Sequence, residues 1–200
     1  MQLVLASASP RRRQLLEQIG VGCVIDPADI DETAREYEAP VDYVQRMAQE
    51  KAHAVFVRPQ HAQHAVLAAD TSVVLDGDIL GKPADRGDAL AMLARLSGRE
   101  HEVMTAVCLL HAGNTVSEVV TTRVEFVTLT LQMCEAYLAT DEPWDKAGAY
   151  AIQGLAAAFV RSIVGSYSNV VGLPLAETWR MLDAASIANG LQVAGPASTE

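Results

Sequence analysis

Short apolar runs alternate with stretches of helical periodicity along this chain, an order that predicts an α/β fold. Gln2-Leu3-Val4-Leu5-Ala6 reads as a buried strand, and the small-residue turn Ser7-Ala8-Ser9-Pro10 leads into a helix over about Pro10 to Ile19. Gly20-Val21-Gly22 ends that helix, Cys23-Val24-Ile25 begins a second strand, and the acidic loop Asp29-Ile30-Asp31-Glu32 follows. From Val41 to Val57 the apolar residues Val41, Val44, Met47, Ala48, Ala52 and Val55 fall on one helical face. Ala65 to Ala69 is a short apolar run. Thr71 to Leu75 and Ile79-Leu80 read as a hairpin around Asp76-Gly77-Asp78, since Asp-Gly is a strong turn signal.

The second half continues the alternation with a helix over Arg86 to Leu96. Two Val- and Thr-rich segments, Glu102 to His111 and Thr115 to Leu129, are joined by Ala112-Gly113-Asn114 and predict a long antiparallel hairpin. Gln132 to Leu138 reads as a short helix. Phe159 to Val164 and Asn169 to Val171 bracket a Gly165-Ser166-Tyr167-Ser168 turn, and Pro174 to Ala188 reads as the last helix. The expected organisation is one unit over residues 1–190, with two lobes around a cleft, and a frayed tail over 191–200.

Composition narrows the function. The chain has 200 residues, half of them hydrophobic, enough for one substantial core or two small lobes. A net charge of −10 argues against a nucleic-acid or anionic-membrane binder, which relies on a broad positive field. Any anionic ligand must meet a local positive cluster. The three cysteines, Cys23, Cys108 and Cys134, lie far apart in apolar segments without metal-ligand spacing. With no signal-peptide pattern and no bilayer-spanning run, the chain is expected to be soluble and cytoplasmic.

Against that acidic background, the cations are placed unusually. Arg11, Arg12 and Arg13 occupy the first turn of the first helix, behind an N-cap Ser9 and Pro10 at the first helical position. Unpaired amide N–H groups already make that turn electropositive, so cations there call for an anion in front of them, and a phosphate cradle fits. The alternative is a solvated arginine face paired with Glu17 or Glu32. The chain has only three lysines: Lys51 on the long helix, Lys82 in Gly81-Lys82-Pro83, and Lys146 in the small-residue loop Asp145-Lys146-Ala147-Gly148. The Gly148 position there would let a ligand approach the backbone. Each lysine alone is as readily a surface charge; with the arginines they favour a phosphate site.

Asp70, read as the end of an apolar strand and followed by Thr71, is the candidate base or metal-holding group, because strand ends open onto clefts in α/β proteins. The alternative is an Asp that ends the strand by bonding the turn. Glu32 is a candidate magnesium ligand or, equally, part of a solvated charge run. The five histidines show no metal-binding spacing and read as surface or core residues, with His61 and His64 in a polar loop. Trp144 reads as a packing residue near enough to the Lys146 loop to line the cleft.

Several blocks together resemble the Maf family of nucleoside triphosphate pyrophosphatases over nearly the whole chain. They are Leu5-Ala6-Ser7-Ala8-Ser9-Pro10-Arg11-Arg12, Glu32, Lys51-Ala52, Ala69-Asp70-Thr71, Gly81-Lys82-Pro83, Leu96-Ser97-Gly98, Asp145 to Gly154, and Gly172-Leu173-Pro174-Leu175. The resemblance implies an α/β fold with an elongated mixed β-sheet flanked by helices and a central cleft, similar to inosine triphosphate pyrophosphatases. It implies hydrolysis of a nucleoside triphosphate to the monophosphate and pyrophosphate, with a divalent metal cation, Mg2+ or Mn2+. Ala151 to Gly154, Ala-Ile-Gln-Gly, looks like the branch acting on dTTP and UTP. There the residues matching Arg11, Thr71 and Gln153 are associated with substrate choice, and the one matching Asp70 with proton acceptance. Relatives of this kind also imply a homodimer.

The chemistry suits those residues. Cleavage between the α and β phosphates needs an in-line water, a base, and cations on the leaving pyrophosphate. Asp70 is assigned as base or metal-water activator and Glu32 as metal ligand, while Ser9, Arg12, Lys51, Lys82 and Lys146 are assigned to the phosphates. Gln153 carries a donor and an acceptor, matching the carbonyl and imide N–H edge of thymine or uracil. Two other readings stand beside this one: a nucleotide-sensing regulator of cell division with little turnover, and a phosphatase of monophosphates, which would release orthophosphate.

Overall fold

β1 (Leu3–Leu5) is buried along its whole length because parallel neighbours flank it on both sides, β2 (Cys23–Ile25) and β3 (Ala65–Leu75). Parallel strands need long crossovers, and the chain supplies α1 (Pro10–Gln18) before β2 and α2 (Pro40–Phe56) before β3. After β3 the backbone reverses through Asp76 and Gly77, both at positive φ, into β4 (Asp78–Leu80). From there α3 (Arg86–Leu96) leads to the antiparallel half of the sheet. That half is β5 (Glu100–His111) on β3, β6 (Asn114–Phe126) on β5, and, after α4 (Leu131–Tyr137), β7 (Val160–Val164) on β6. α5 (Tyr167–Val171) and α6 (Leu175–Ala184) complete the chain. The computed structural model describes residues 2–61 and 63–191, so most of the expected tail lies outside the described residues.

The sheet order is β2-β1-β3-β5-β6-β7, with β4 on β3: an elongated mixed sheet with helices on both faces. Side chains alternate across it. Val66, Ala68, Ala106 and Cys108 face Val44, Ala48, Ala52 and Val55 of α2. Leu67, Ala69, Val107, Val124 and Phe126 face the other layer, where Leu16, Leu93, Leu96 and Leu182 close a larger core. Among the described residues no helix is long and apolar enough to cross a membrane, and all three cysteines are free thiols.

Three local expectations change. The break expected at Asp70 does not occur: β3 runs unbroken through Asp70, Thr71 and Ser72, because β5 pairs with it continuously from Val66 to Val74. Asp70 is therefore a mid-strand residue. Past the Gly165 turn, Tyr167–Val171 is a short helix whose cap, Ser166, accepts from Asn169 N–H at 3.2 Å. The buried Asn169 amide outweighs the β-branched Val170-Val171, donating to Val103 O and Thr122 Oγ1 at 2.9 Å each. The last helix stops at Ala184, since Ser186 takes a left-handed φ of 55° that turns Ile187 back into the core.

One core contact makes stability depend on pH. His101 Nε2 lies 2.8 Å from the Tyr150 hydroxyl and its ring packs edge-on against Phe126, and burial pushes its pKa down to about 4. An unfolded histidine titrates near ~6.5. The depressed pKa means that this contribution is complete above the unfolded value and is lost as pH falls toward the folded one. We expect a loss on the order of 3 kcal/mol across that window, smaller in His101→Gln, which cannot titrate. Denaturant melts at several pH values check this; equal acid sensitivity in both proteins would contradict it.

Candidate active site

The cleft arises from a gap in the sheet. On one edge of β3, pairing with β1 ends at Leu67, and pairing with β4 begins only at Val73. Across that gap the loop Ala6–Ser9 leaves β1, and Asp70 and Thr71 look into an opening of about 510 Å³. The opening therefore lies at the end of β1, beside the middle of β3, and not at the end of the strand that carries Asp70.

All ten residues singled out from the sequence line this cleft: Ser9, Arg11, Arg12, Glu32, Lys51, Asp70, Thr71, Lys82, Lys146 and Gln153. Every lysine of the chain is among them. With Asp145 the lining carries five cations against three carboxylates, a local surplus of positive charge in a chain of net charge −10.

Lys51 organises the acidic end. Its ammonium donates to Asp70 Oδ1 at 2.7 Å and pairs with Glu32 Oε1 at 2.7 Å, and both it and Asp70 are buried. Desolvation raises the Glu32 pKa, but the Lys51 hydrogen bond and the charges of Lys51, Lys82 and Arg12 outweigh it and hold the carboxylate below its ordinary range. The Tyr43 hydroxyl donates to Glu32 O at 2.9 Å, and burial, with the nearby Asp70 and Glu32 charges, pushes the phenol up to about 12, so it stays protonated.

Arg12 braces the opposite wall. Its guanidinium donates to Gly172 O at 2.8 Å, Ser7 Oγ at 3.1 Å and Thr71 Oγ1 at 3.1 Å, tying α1 to β3 and to the end of α5. Thr71 Oγ1 is also 3.0 Å from Thr105 Oγ1, which donates to Asn169 O. Burial lowers the Arg12 pKa and Asp70 opposes the shift. Ser9 occupies the N-cap position without a capping bond from its side chain, while its N–H donates to Ser7 Oγ at 3.2 Å. Arg13 points elsewhere: it pairs with Glu17 on an exposed face, the solvated alternative realised for that one residue.

The third wall joins two loops. Gly148 N–H donates to Gly81 O at 3.0 Å, which brings the Lys82 and Lys146 turns together. Gly148 is required for a different reason from the one its sequence context suggests. It sits at φ 68° with Val73 side-chain atoms 3.0–3.1 Å from where a Cβ would be, so the glycine admits β3 and not a ligand. Lys146 pairs with Asp145, and Trp144 bonds Thr140 O outside the cleft lining. Gln153 is exposed on the cleft wall, and half-buried Arg11 lies near enough to Tyr137 for the two to influence each other's pKa.

The sequence reading missed Tyr43, Ser7 as a partner of Arg12, and the Thr105–Asn169 pair. Tyr43 had a signal, the four-residue spacing Tyr43, Met47, Lys51 along one face of α2. Asn169 had none. His61, expected in a polar loop, is buried with Nε2 2.6 Å from Asp26 Oδ2. Among the described residues no group of three or more His, Cys, Asp or Glu gathers as a self-sufficient metal cage. The available donors are Glu32 and Asp70, joined through one ammonium.

Residues 2–185 match the family described as Maf-like protein. The chain is 53% identical over 194 residues to a dTTP/UTP pyrophosphatase of Shewanella oneidensis, covering 94% of this chain and 100% of that one. It is 54% identical over 185 residues to a dTTP/UTP pyrophosphatase of Anaeromyxobacter dehalogenans, covering 90% and 92%. It is 53% identical over 178 residues to one of Hahella chejuensis, covering 88% and 89%. A solved nucleoside-triphosphatase / dITP/XTP pyrophosphatase of Mycobacterium abscessus aligns with 64% of this chain and 76% of its own, at 18% identity and a TM-score of 0.41. With the family match spanning all but the two ends and half of the residues shared with these relatives, the chain belongs to the Maf family.

Proposed function

We propose that this protein hydrolyses dTTP and UTP to the nucleoside monophosphate and pyrophosphate, with Asp70 as the base. The observation that supports it most is the buried Lys51–Asp70 pair, with the exposed Glu32 carboxylate on the same ammonium, in a cleft whose remaining cations include both other lysines of the chain. The relatives named dTTP/UTP pyrophosphatase give the reading its substrate class.

In this mechanism the triphosphate lies along the cation-lined walls, with Arg12, Lys82, Lys146 and the Ser9 hydroxyl on its phosphoryl oxygens. Lys51 holds Asp70 through Oδ1, leaving Oδ2 to take a proton from a water aligned with the α-phosphorus. As the water oxygen bonds to that phosphorus, the bond from phosphorus to the bridging oxygen breaks and its electron pair leaves with pyrophosphate. The fixed cations neutralise the growing charge on the leaving group. No covalent enzyme intermediate is required.

The donor set fits a divalent cation of the hard class. Magnesium commonly takes one or two carboxylates and completes its shell with water and phosphate oxygens, and Glu32 with Asp70 supplies that number. When bound, the cation would add charge neutralisation at the phosphates. Glu32, held deprotonated by its neighbours, is ready to ligate without losing a proton.

For base choice, Gln153 offers its amide to the carbonyl and imide N–H edge shared by thymine and uracil, with Arg11 alongside. Cytosine presents the reversed pattern and leaves those groups unpaired. We expect dTTP and UTP to exceed CTP in kcat/KM, with Gln153→Ala narrowing the preference about tenfold or more. Steady-state assays over a panel of triphosphates with magnesium, resolving pyrophosphate from orthophosphate, check this. Comparable CTP turnover would contradict the base reading; no turnover of any triphosphate would favour a nucleotide-sensing regulator.

A further inference from the structure

Gln153 lies on an irregular loop, between Ile152 and a 3₁₀ turn over Leu155–Phe159, and so depends on other residues to hold its amide against a base. Two side chains outside the cleft lining grip that loop on either side of it. The Tyr137 hydroxyl, at the end of α4, accepts from Ala151 N–H at 3.1 Å. The Glu142 carboxylate accepts from Leu155 N–H with both oxygens, at 3.0 and 2.9 Å. The two grips adjoin each other: burial, with the neighbouring Glu142 carboxylate, pushes the Tyr137 pKa up to about 12.

Glu142 is itself fixed. Its N–H donates to Thr140 Oγ1 at 3.3 Å, and that hydroxyl donates to Tyr137 O at 2.7 Å, so the carboxylate projects from a turn anchored to the end of α4. Gly154, next to Gln153, is the space the carboxylate occupies, because a Cβ there would collide with Glu142 Cδ and both its oxygens. The Ile-Gln-Gly order thus has a packing reason: glycine admits the clamp that fixes the glutamine before it.

We infer that Glu142 is a positioning residue for base recognition, holding Gln153 through Leu155 N–H while Tyr137 holds the same loop through Ala151 N–H. The inference rests on the assignment of Gln153 to the base in the proposed function and extends it to residues that do not line the cleft. Because the clamp sits on the base side, its loss should weaken recognition of the base more than cleavage of the triphosphate.

The test compares Glu142→Ala, Glu142→Gln and Gly154→Ala with the wild type on dTTP, CTP and a base-free 2-deoxyribose 5-triphosphate. Glu142→Ala should cut the dTTP:CTP ratio of kcat/KM about tenfold, chiefly through KM for dTTP, and should lose more on dTTP than on the base-free compound. Glu142→Gln, whose amide oxygen still accepts from Leu155 N–H, should keep most of the preference. Gly154→Ala should mimic Glu142→Ala. Hydrogen exchange at the Leu155 amide supplies a readout independent of turnover, faster in Glu142→Ala and near wild type in Glu142→Gln. An intact preference in Glu142→Ala, unchanged Leu155 exchange, or equal losses on dTTP and the base-free triphosphate would overturn the inference. A wild-type enzyme that cleaves dTTP and CTP equally would remove the base reading and the inference together.

Discussion

Asp70→Asn should lower kcat for dTTP by about a hundred- to ten-thousand-fold, the usual cost of losing a positioned base, while nucleotide binding stays within a few-fold of wild type. Asparagine keeps the shape of aspartate and an oxygen to accept from Lys51, whose ammonium lies 2.7 Å from Asp70 Oδ1. The variant should therefore fold and retain the phosphate-binding cations, yet lack a group that can take the water's proton. Steady-state kinetics paired with equilibrium dialysis separate the two effects. Turnover within tenfold of wild type would transfer the proton to another acceptor, and loss of binding would make Asp70 a structural residue.

Lys51→Met attacks the same cluster from its other side. The substitution leaves a mid-strand carboxylate without its cation in a site where Lys51 and Asp70 are each about a tenth exposed at the side chain. Breaking a buried pair in this way costs about 3–5 kcal/mol, and releasing the base from the cation that holds its Oδ1 should lower kcat/KM by about a hundredfold or more. Glu32 loses the hydrogen bond and the charge that outweigh its desolvation, so its pKa rises and the acid limb of the pH–rate profile moves to higher pH. The double variant Lys51→Met/Asp70→Asn separates charge from packing, because it removes the stranded carboxylate together with its partner. Its stability should exceed that of Lys51→Met alone; strictly additive losses would show that the two residues do not act as a pair.

Much of the frame was legible because periodicity and turn chemistry agreed. The apolar stripe from Val44 to Val55 predicted α2, and Asp76-Gly77 and Ala112-Gly113 marked hairpins whose central residues all take positive φ. The cations were legible for a different reason: lysine is scarce in this chain, and Lys51, Lys82 and Lys146 stand out with the arginines against a net charge of −10. What periodicity could not supply was the effect of neighbours. Asp70 reads as a strand terminator, but β5 keeps the strand going while β1 stops short, and this offset makes the cleft. Gly148 reads as ligand access and is a seat for Val73. Asn169 reads as the start of the segment beyond the Gly165-Ser166-Tyr167-Ser168 turn and is a buried tie between Val103, Thr122 and α5. Glu142 and Gly154 lie 12 positions apart in sequence, and only the fold brings the carboxylate into the space the missing Cβ leaves.

The most direct test of the account is to follow dTTP hydrolysis in oxygen-18 water with magnesium and locate the label by mass spectrometry. Attack at the α-phosphorus with Asp70 as base predicts labelled dTMP, unlabelled pyrophosphate, and loss of both products in Asp70→Asn. Label in orthophosphate, or in the pyrophosphate, would place the attack at another phosphorus and contradict it.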